Sequence, residues 1–205
     1  VAALERWKRG PEATRWREYS FLLGAAVVGA VFGASFDQIS LSLSPAYFEL
    51  GKGIEVGDGF RLRVTTLGAQ AGFVAGLILG GMLLMANNPR PGLKGLPYRR
   101  LATHVFPVPL AALVLAPFGA VFMYIYSPDL EIAANVLPSF LTVWGLHCGL
   151  YLGALVGVVF AVSGVRRERR SARDASPGAL EEPAPESAKA EVDCAVDEPI
   201  GVQTS

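Results

Sequence analysis

Four long, nearly uncharged apolar runs divide this chain and leave little choice of fold. They cover about residues 20–39, 64–86, 101–126 and 140–165. About 20 helical residues, rising ~1.5 Å each, cross a hydrocarbon core of ~30 Å. Backbone in lipid must satisfy its own N–H and C=O groups, so a run that crosses does so as a helix. The expectation is an all-α, four-helix transmembrane bundle. Composition agrees, because only 18% of the 205 residues are charged, against about a quarter in soluble domains. Lys plus Arg and Asp plus Glu number 18 each, so net charge singles out no nucleic-acid partner.

Glycine recurs every four residues in three of the runs. Gly29 and Gly33 follow Ala25; Gly68, Gly72, Gly76 and Gly80 form a second ladder, and Gly145, Gly149, Gly153 and Gly157 a third. At ~100° per residue each ladder is one stripe, and a stripe without side chains lets another backbone approach closely. The ladders predict tight helix pairing, with a partner helix either in the same chain or in a second copy. Trp144, His147 and Tyr151 fall nearly opposite the third ladder. An imidazole facing lipid is costly, so this fourth helix is expected to be sandwiched between neighbours.

Between the runs the chain reads as connectors. Residues 1–19 carry five basic residues interleaved with Trp7, Trp16 and Tyr19, which fits a cytoplasmic flank with interfacial anchors. Phe21 to Phe36 resembles a signal-peptide core, but its continuation into Ile39, Leu41 and Leu43 favours an uncleaved anchor. Serine alternates with apolar residues over 39–44, a period of two that predicts an extended segment. Ser44-Pro45 reads as an N-cap and first turn of a short external helix that stops at Gly51. Gly57-Asp58-Gly59 marks a turn. Gln70, off its glycine stripe, is expected to hydrogen-bond between helices. Pro107, Pro109 and Pro117 are expected to kink the third span, and His104 reads as a packed or interfacial histidine. The tail, 166–205, is rich in Ala, Glu, Pro and Ser beyond its arginines and is expected to be a disordered cytoplasmic appendage.

Charge distribution orients the spans. Lys and Arg number five in residues 1–20, three in 37–63, four in the next loop, none around Asp129, and five in 166–173. This alternation fits four crossings with both termini in the cytoplasm. Asp37 and Gln38 on the first helix and His147 on the fourth then share a level near the outer face, close to Tyr47, Asp129 and Glu131 in the external loops. An ionisable residue at membrane depth is a functional-site hypothesis. The candidate polar cluster is Asp37 paired with His147, supported by Gln38, Tyr47 and Tyr151. Such a pair can lock two helices, relay a proton or help hold a metal.

A resemblance enters at these residues. DQISLSLSPAYFE (37–49) and HCGLYLG (147–153) resemble the Asp-Gln-[Ile/Val]-[Ser/Thr]…Ser-Pro-Glu-Tyr-Phe and His-Asn-x-x-Tyr-Leu-Gly segments of an uncharacterised family of small bacterial membrane proteins. The likeness covers roughly residues 20–86 and 140–160. Ala46 stands where that family has Glu, and Cys148 where it has Asn. The resemblance implies no activity, but it groups Asp37, Gln38, Pro45, Tyr47, Phe48, His147 and Tyr151.

No HExxH, nucleophile elbow, phosphate-cradling glycine loop or CxxC occurs in the chain. Cys148 and Cys194 imply neither a disulfide framework nor a metal site. The sequence therefore assigns no catalytic residue, metal ligand or cofactor. It favours a structural or interaction component of the envelope, whose partners are the bilayer and either a second copy or another membrane protein. A small solute or ion carrier built on the Asp37–His147 cluster stands second, and a membrane-embedded enzyme or metal-binding protein third.

Overall fold

The computed structural model describes residues 15–89 and 93–175. Those residues are all-α. Helix α1 spans Arg15–Leu43, α2 Phe60–Asn87, α3 Tyr98–Thr103, α4 Pro107–Tyr126 and α5 Leu137–Asp174. A π-helical turn, Tyr47–Gly51, follows α1. Four segments are long and apolar enough to cross a membrane: α1, α2, α3 with α4, and α5. At most 33% of the apolar window of any of them is buried within the chain. Large side chains such as Val31, Phe118, Ile125, Leu155 and Phe160 stand exposed, far beyond what a water-soluble monomer tolerates. The chain is a multi-pass membrane protein.

The four spans form two hairpins, α1 against α2 and α4 against α5, and the small-residue stripes are the contact surface within each. A Cβ at Gly29, Gly33, Gly68, Gly72 or Gly76 would strike the facing backbone of the other helix of the first hairpin. Gly80 packs against Leu22 and Ala25. In the second hairpin, Gly145, Gly149, Gly153 and Gly157 lie against the Cα atoms of Ala120, Ala116, Ala112 and Val108 respectively. All three ladders are thus occupied within one chain. Helices in lipid gain nothing from hydrophobic expulsion, so this close backbone approach supplies the van der Waals contact that holds each hairpin.

The hairpins meet chiefly near their two ends, where separate apolar clusters form. One joins Phe21, Leu83, Leu101, Val105 and Val165 at the end rich in basic residues. The other joins Leu41, Tyr47, Phe48, Val64, Phe140 and Val143 at the opposite end. At the basic end, Arg169 of α5 is buried and donates to four carbonyls of the first hairpin and its following loop: Ala86, Asn88 at 2.9 Å, Leu93 at 3.0 Å and Lys94 at 3.2 Å. Two of these belong to the end of α2, where unpaired carbonyls and the helix dipole favour a cation.

Several elements differ from the sequence expectation. Residues 39–43 are helical rather than extended, because continuing the helix satisfies backbone that would otherwise lie unpaired in or near lipid. Ser42 Oγ donates to Gln38 O at 3.0 Å and Ser44 N to Ser40 O at 2.9 Å; Phe36, Asp37, Ser40 and Leu41 share the buried face. Asp37 consequently lies almost two turns inside α1. Ser44 does not cap the next turn through its side chain; its hydroxyl meets Ser139 Oγ at 3.3 Å. Pro107 and Pro109 do not kink a continuous third span. The helix breaks at 104–106, and Pro107 begins α4 where its missing N–H costs nothing; Pro117 alone sits inside the helix. Gln70 is exposed and makes no interhelical hydrogen bond among the described residues; at about 200° from Gly68 it faces away from α1. Helix α5 runs on through Asp174. Residues 1–14 and the tail from 176, including Cys194, lie outside the described residues.

Candidate functional site

Asp37 falls four residues after Gly33 and so continues the stripe that faces α2. Room for its carboxylate comes from Gly68: a Cβ there would stand 2.7 Å from Asp37 Oδ2 and would also strike the backbone of Gly33. On α5 the ladder turns Gly145 and Gly149 towards α4, which leaves His147 on the other side, facing α1. The fourth helix is therefore packed on both sides at this level, as the apolar context of an imidazole requires. His147 and Asp37 are both buried. Nε2 of His147 lies 3.1 Å from Oδ1 of Asp37, and the contact joins one hairpin to the other.

The second ring nitrogen settles the chemistry. Nδ1 lies 2.9 Å from the Val143 carbonyl, an acceptor only, so Nδ1 carries a proton and donates. Nε2 then meets the carboxylate in one of two ways. It is protonated and donates to a carboxylate anion, or it is bare and accepts from a carboxylic acid. Each arrangement places one proton in the contact and leaves the pair with zero net charge. The alternative of a bare nitrogen facing a carboxylate anion would set two acceptors against one another at hydrogen-bond distance. Neutrality of the pair suits its depth, where an uncompensated charge costs several kcal/mol (roughly).

Aromatic rings close the remaining sides. The π turn directs the consecutive residues Tyr47 and Phe48 inward, and both are buried. Tyr47 lies over His147 with ring centroids 4.7 Å apart and planes at 31°. Phe36 and Phe48 approach edge-on at 5.2 Å and 6.1 Å, and Tyr151 at 6.2 Å. Lys52 Nζ stands 5.6 Å from the Tyr47 ring centroid. A tyrosine face stabilises a cation held against it, which supports the imidazolium whenever the proton sits on nitrogen. Burial, and after it the neighbouring Tyr151, Cys148 and Asp37, hold the Tyr47 phenol well above its ordinary range. No protein-family profile, curated protein or solved structure matches this chain.

Not every expected member joins the cluster. Gln38 is one step round the helix and turns to α2 instead, donating to Thr65 Oγ1 at 2.8 Å and Arg61 O at 3.1 Å while its own oxygen accepts from Arg61. It ties α1 to α2 and does not support the pair. Tyr151 contributes a ring edge but is 52% exposed. Asp129 and Glu131 are exposed in the α4–α5 loop. Among the described residues no three of His, Cys, Asp and Glu gather closely enough to hold a metal ion.

Three participants escape sequence reasoning. Phe36 is masked by its apolar run, although its position beside Asp37 was legible. Ser40, one turn beyond Asp37 on the buried face, has a hydroxyl with no hydrogen-bond partner among the described residues. Arg169 looks like one more flanking arginine, and only its burial distinguishes it from Arg166, Arg167 and Arg170. His104 is partly buried and has a partner the sequence does not announce: its Nε2 lies 3.0 Å from Glu168 Oε2.

Proposed function

We propose that this chain is a structural or interaction component of the bacterial inner membrane, with both termini in the cytoplasm, whose two small-residue hairpins are latched by Asp37 and His147. One observation carries the reading: Asp37 Oδ1 and both ring nitrogens of His147 are engaged with one another and with the Val143 carbonyl, inside an aromatic enclosure that bridges the hairpins. A latch needs that direct, enclosed contact between the hairpins. Homo-oligomerisation or docking to another membrane protein would use the exposed outer faces, since the glycine ladders are already paired within the chain. The motif resemblance groups the same residues around Asp37 and His147.

The second reading, a small proton-linked carrier, draws on the unpartnered Ser40 hydroxyl beside a pair that holds one transferable proton. Asp37→Asn separates the two. The latch predicts a lower midpoint of thermal unfolding in detergent, and no Asp37-dependent proton or solute flux in liposomes. Unchanged stability with lost flux would overturn the latch in favour of the carrier.

A further inference from the structure

The basic end of the bundle holds a second feature, unconnected with Asp37. Between the starts of α1 and α3 opens a cleft of about 520 Å³, lined by Trp16, Arg17, Ser20, Phe21, Tyr98 and Arg99. Its floor is apolar: Phe21 is buried and its ring centroid lies 6.2 Å from that of Tyr98. Its rim is cationic. Arg17 and Arg99 are exposed, and among the described residues neither makes an ion pair and the only hold on either guanidinium is Arg17 over the Trp16 ring at 5.7 Å. Other arginines here are engaged, as Arg169 is with carbonyls and Arg100 with Glu168 at 3.9 Å. Glu18 is the one acidic residue in the first turn of α1, so it balances at most one of the two.

Below the rim, α1 offers a seat for a hydrocarbon chain. Ser20, Gly24, Val28 and Val31 follow at helical spacing and are all exposed, and nothing lies within 4 Å of a Cβ built at Gly24. From Ser20 to Val31 the track is about 16 Å long, comparable to an acyl chain within one leaflet. Free phosphate would use the two guanidiniums but has no use for the track.

We infer that this cleft seats an anionic glycerophospholipid, its headgroup phosphate held by Arg17 and Arg99 and one acyl chain laid along the Gly24 face of α1. Basic pockets between spans at the cytoplasmic surface are suited to such headgroups, and paired guanidiniums suit phosphate oxygens.

The test is native mass spectrometry of the full-length protein in mild detergent, titrated with phosphatidylglycerol or phosphatidylcholine. Wild type should bind phosphatidylglycerol about tenfold more tightly. Arg17→Gln/Arg99→Gln should erase that preference, whereas Arg167→Gln/Arg170→Gln, outside the cleft, should keep it. Gly24→Trp fills open space on the lipid face without touching charge, and should weaken phosphatidylglycerol binding several-fold. Equal losses in both arginine pairs would mean a diffuse basic surface and would overturn the site, as would unchanged binding in the cleft variant. Displacement of the lipid by inorganic phosphate, or full binding by Gly24→Trp, would overturn the lipid assignment.

Discussion

The chain's two histidines each face a carboxylate at nearly the same distance, 3.1 Å for His147–Asp37 and 3.0 Å for His104–Glu168, yet their surroundings differ throughout. The first pair joins two hairpins and its side chains are 5% and 12% exposed; the second lies within one hairpin at the basic end and is 16% and 36% exposed. His147 has its other nitrogen fixed by Val143 and aromatic rings on its faces. Glu168 shares itself with Arg100 and meets water. The same two functional groups therefore have different weight. Removing one partner of a buried pair strands the other, while an exposed pair exchanges each lost contact for water.

That contrast is open to direct attack. The largest expected effect is Asp37→Leu, which leaves His147 Nε2 facing apolar surroundings; thermal or denaturant unfolding in detergent should show a loss of ~3–5 kcal/mol. Glu168→Leu should cost about 1 kcal/mol or less. Equal losses would break the comparison. Next come two glycines that back onto these pairs. Gly68→Ala drives a methyl group into the Gly33 backbone, which yields less readily than a side chain, as well as into the Asp37 carboxylate, and should cost ~1–3 kcal/mol. Gly164→Ala meets only the His104 ring, at 2.9 Å. That side chain can swing towards solvent, so the loss in the same assay should be smaller than for Gly68→Ala.

The smallest effect is in pH. Burial raises the Tyr47 phenol above its unfolded value of 10.0, so the folded state holds this proton more tightly than the unfolded chain does. Its contribution is complete below pH 10 and declines as pH rises above it, because the unfolded chain then gains stability by ionising. Tyr47→Phe should flatten the fall in unfolding midpoint between about pH 10 and 11. A wild-type slope retained in the variant would assign that fall to other groups.

Much of the architecture is legible in the residues themselves. Four apolar runs of sufficient length specify four spans, and glycine every fourth residue specifies which faces touch. Asp37 and His147 stand out because charge and imidazole are rare at that depth. The stripe does not name its partner. The α4 surface that receives the third ladder is built from Ala112, Ala116 and Ala120, whose spacing is visible but whose identity is ordinary in any apolar run. The serine alternation misleads because a period of two over six residues does not outweigh the need to pair backbone near lipid. Gln38 is placed with Asp37 by sequence adjacency, yet ~100° of helix rotation sends it to α2. Arg169 is recognisable only once the end of α2 is in place to receive it.

The central claim is that Asp37 and His147 act on each other across the hairpin boundary, and a double-mutant cycle tests it most directly. Unfolding free energies in one detergent would be measured for wild type, Asp37→Ala, His147→Ala and the double variant, beside the matching cycle for Glu168 and His104. The latch predicts a coupling above about 1.5 kcal/mol for Asp37–His147 and under about 0.5 kcal/mol for His104–Glu168. Additive losses at Asp37 and His147, within about 0.5 kcal/mol, would contradict it.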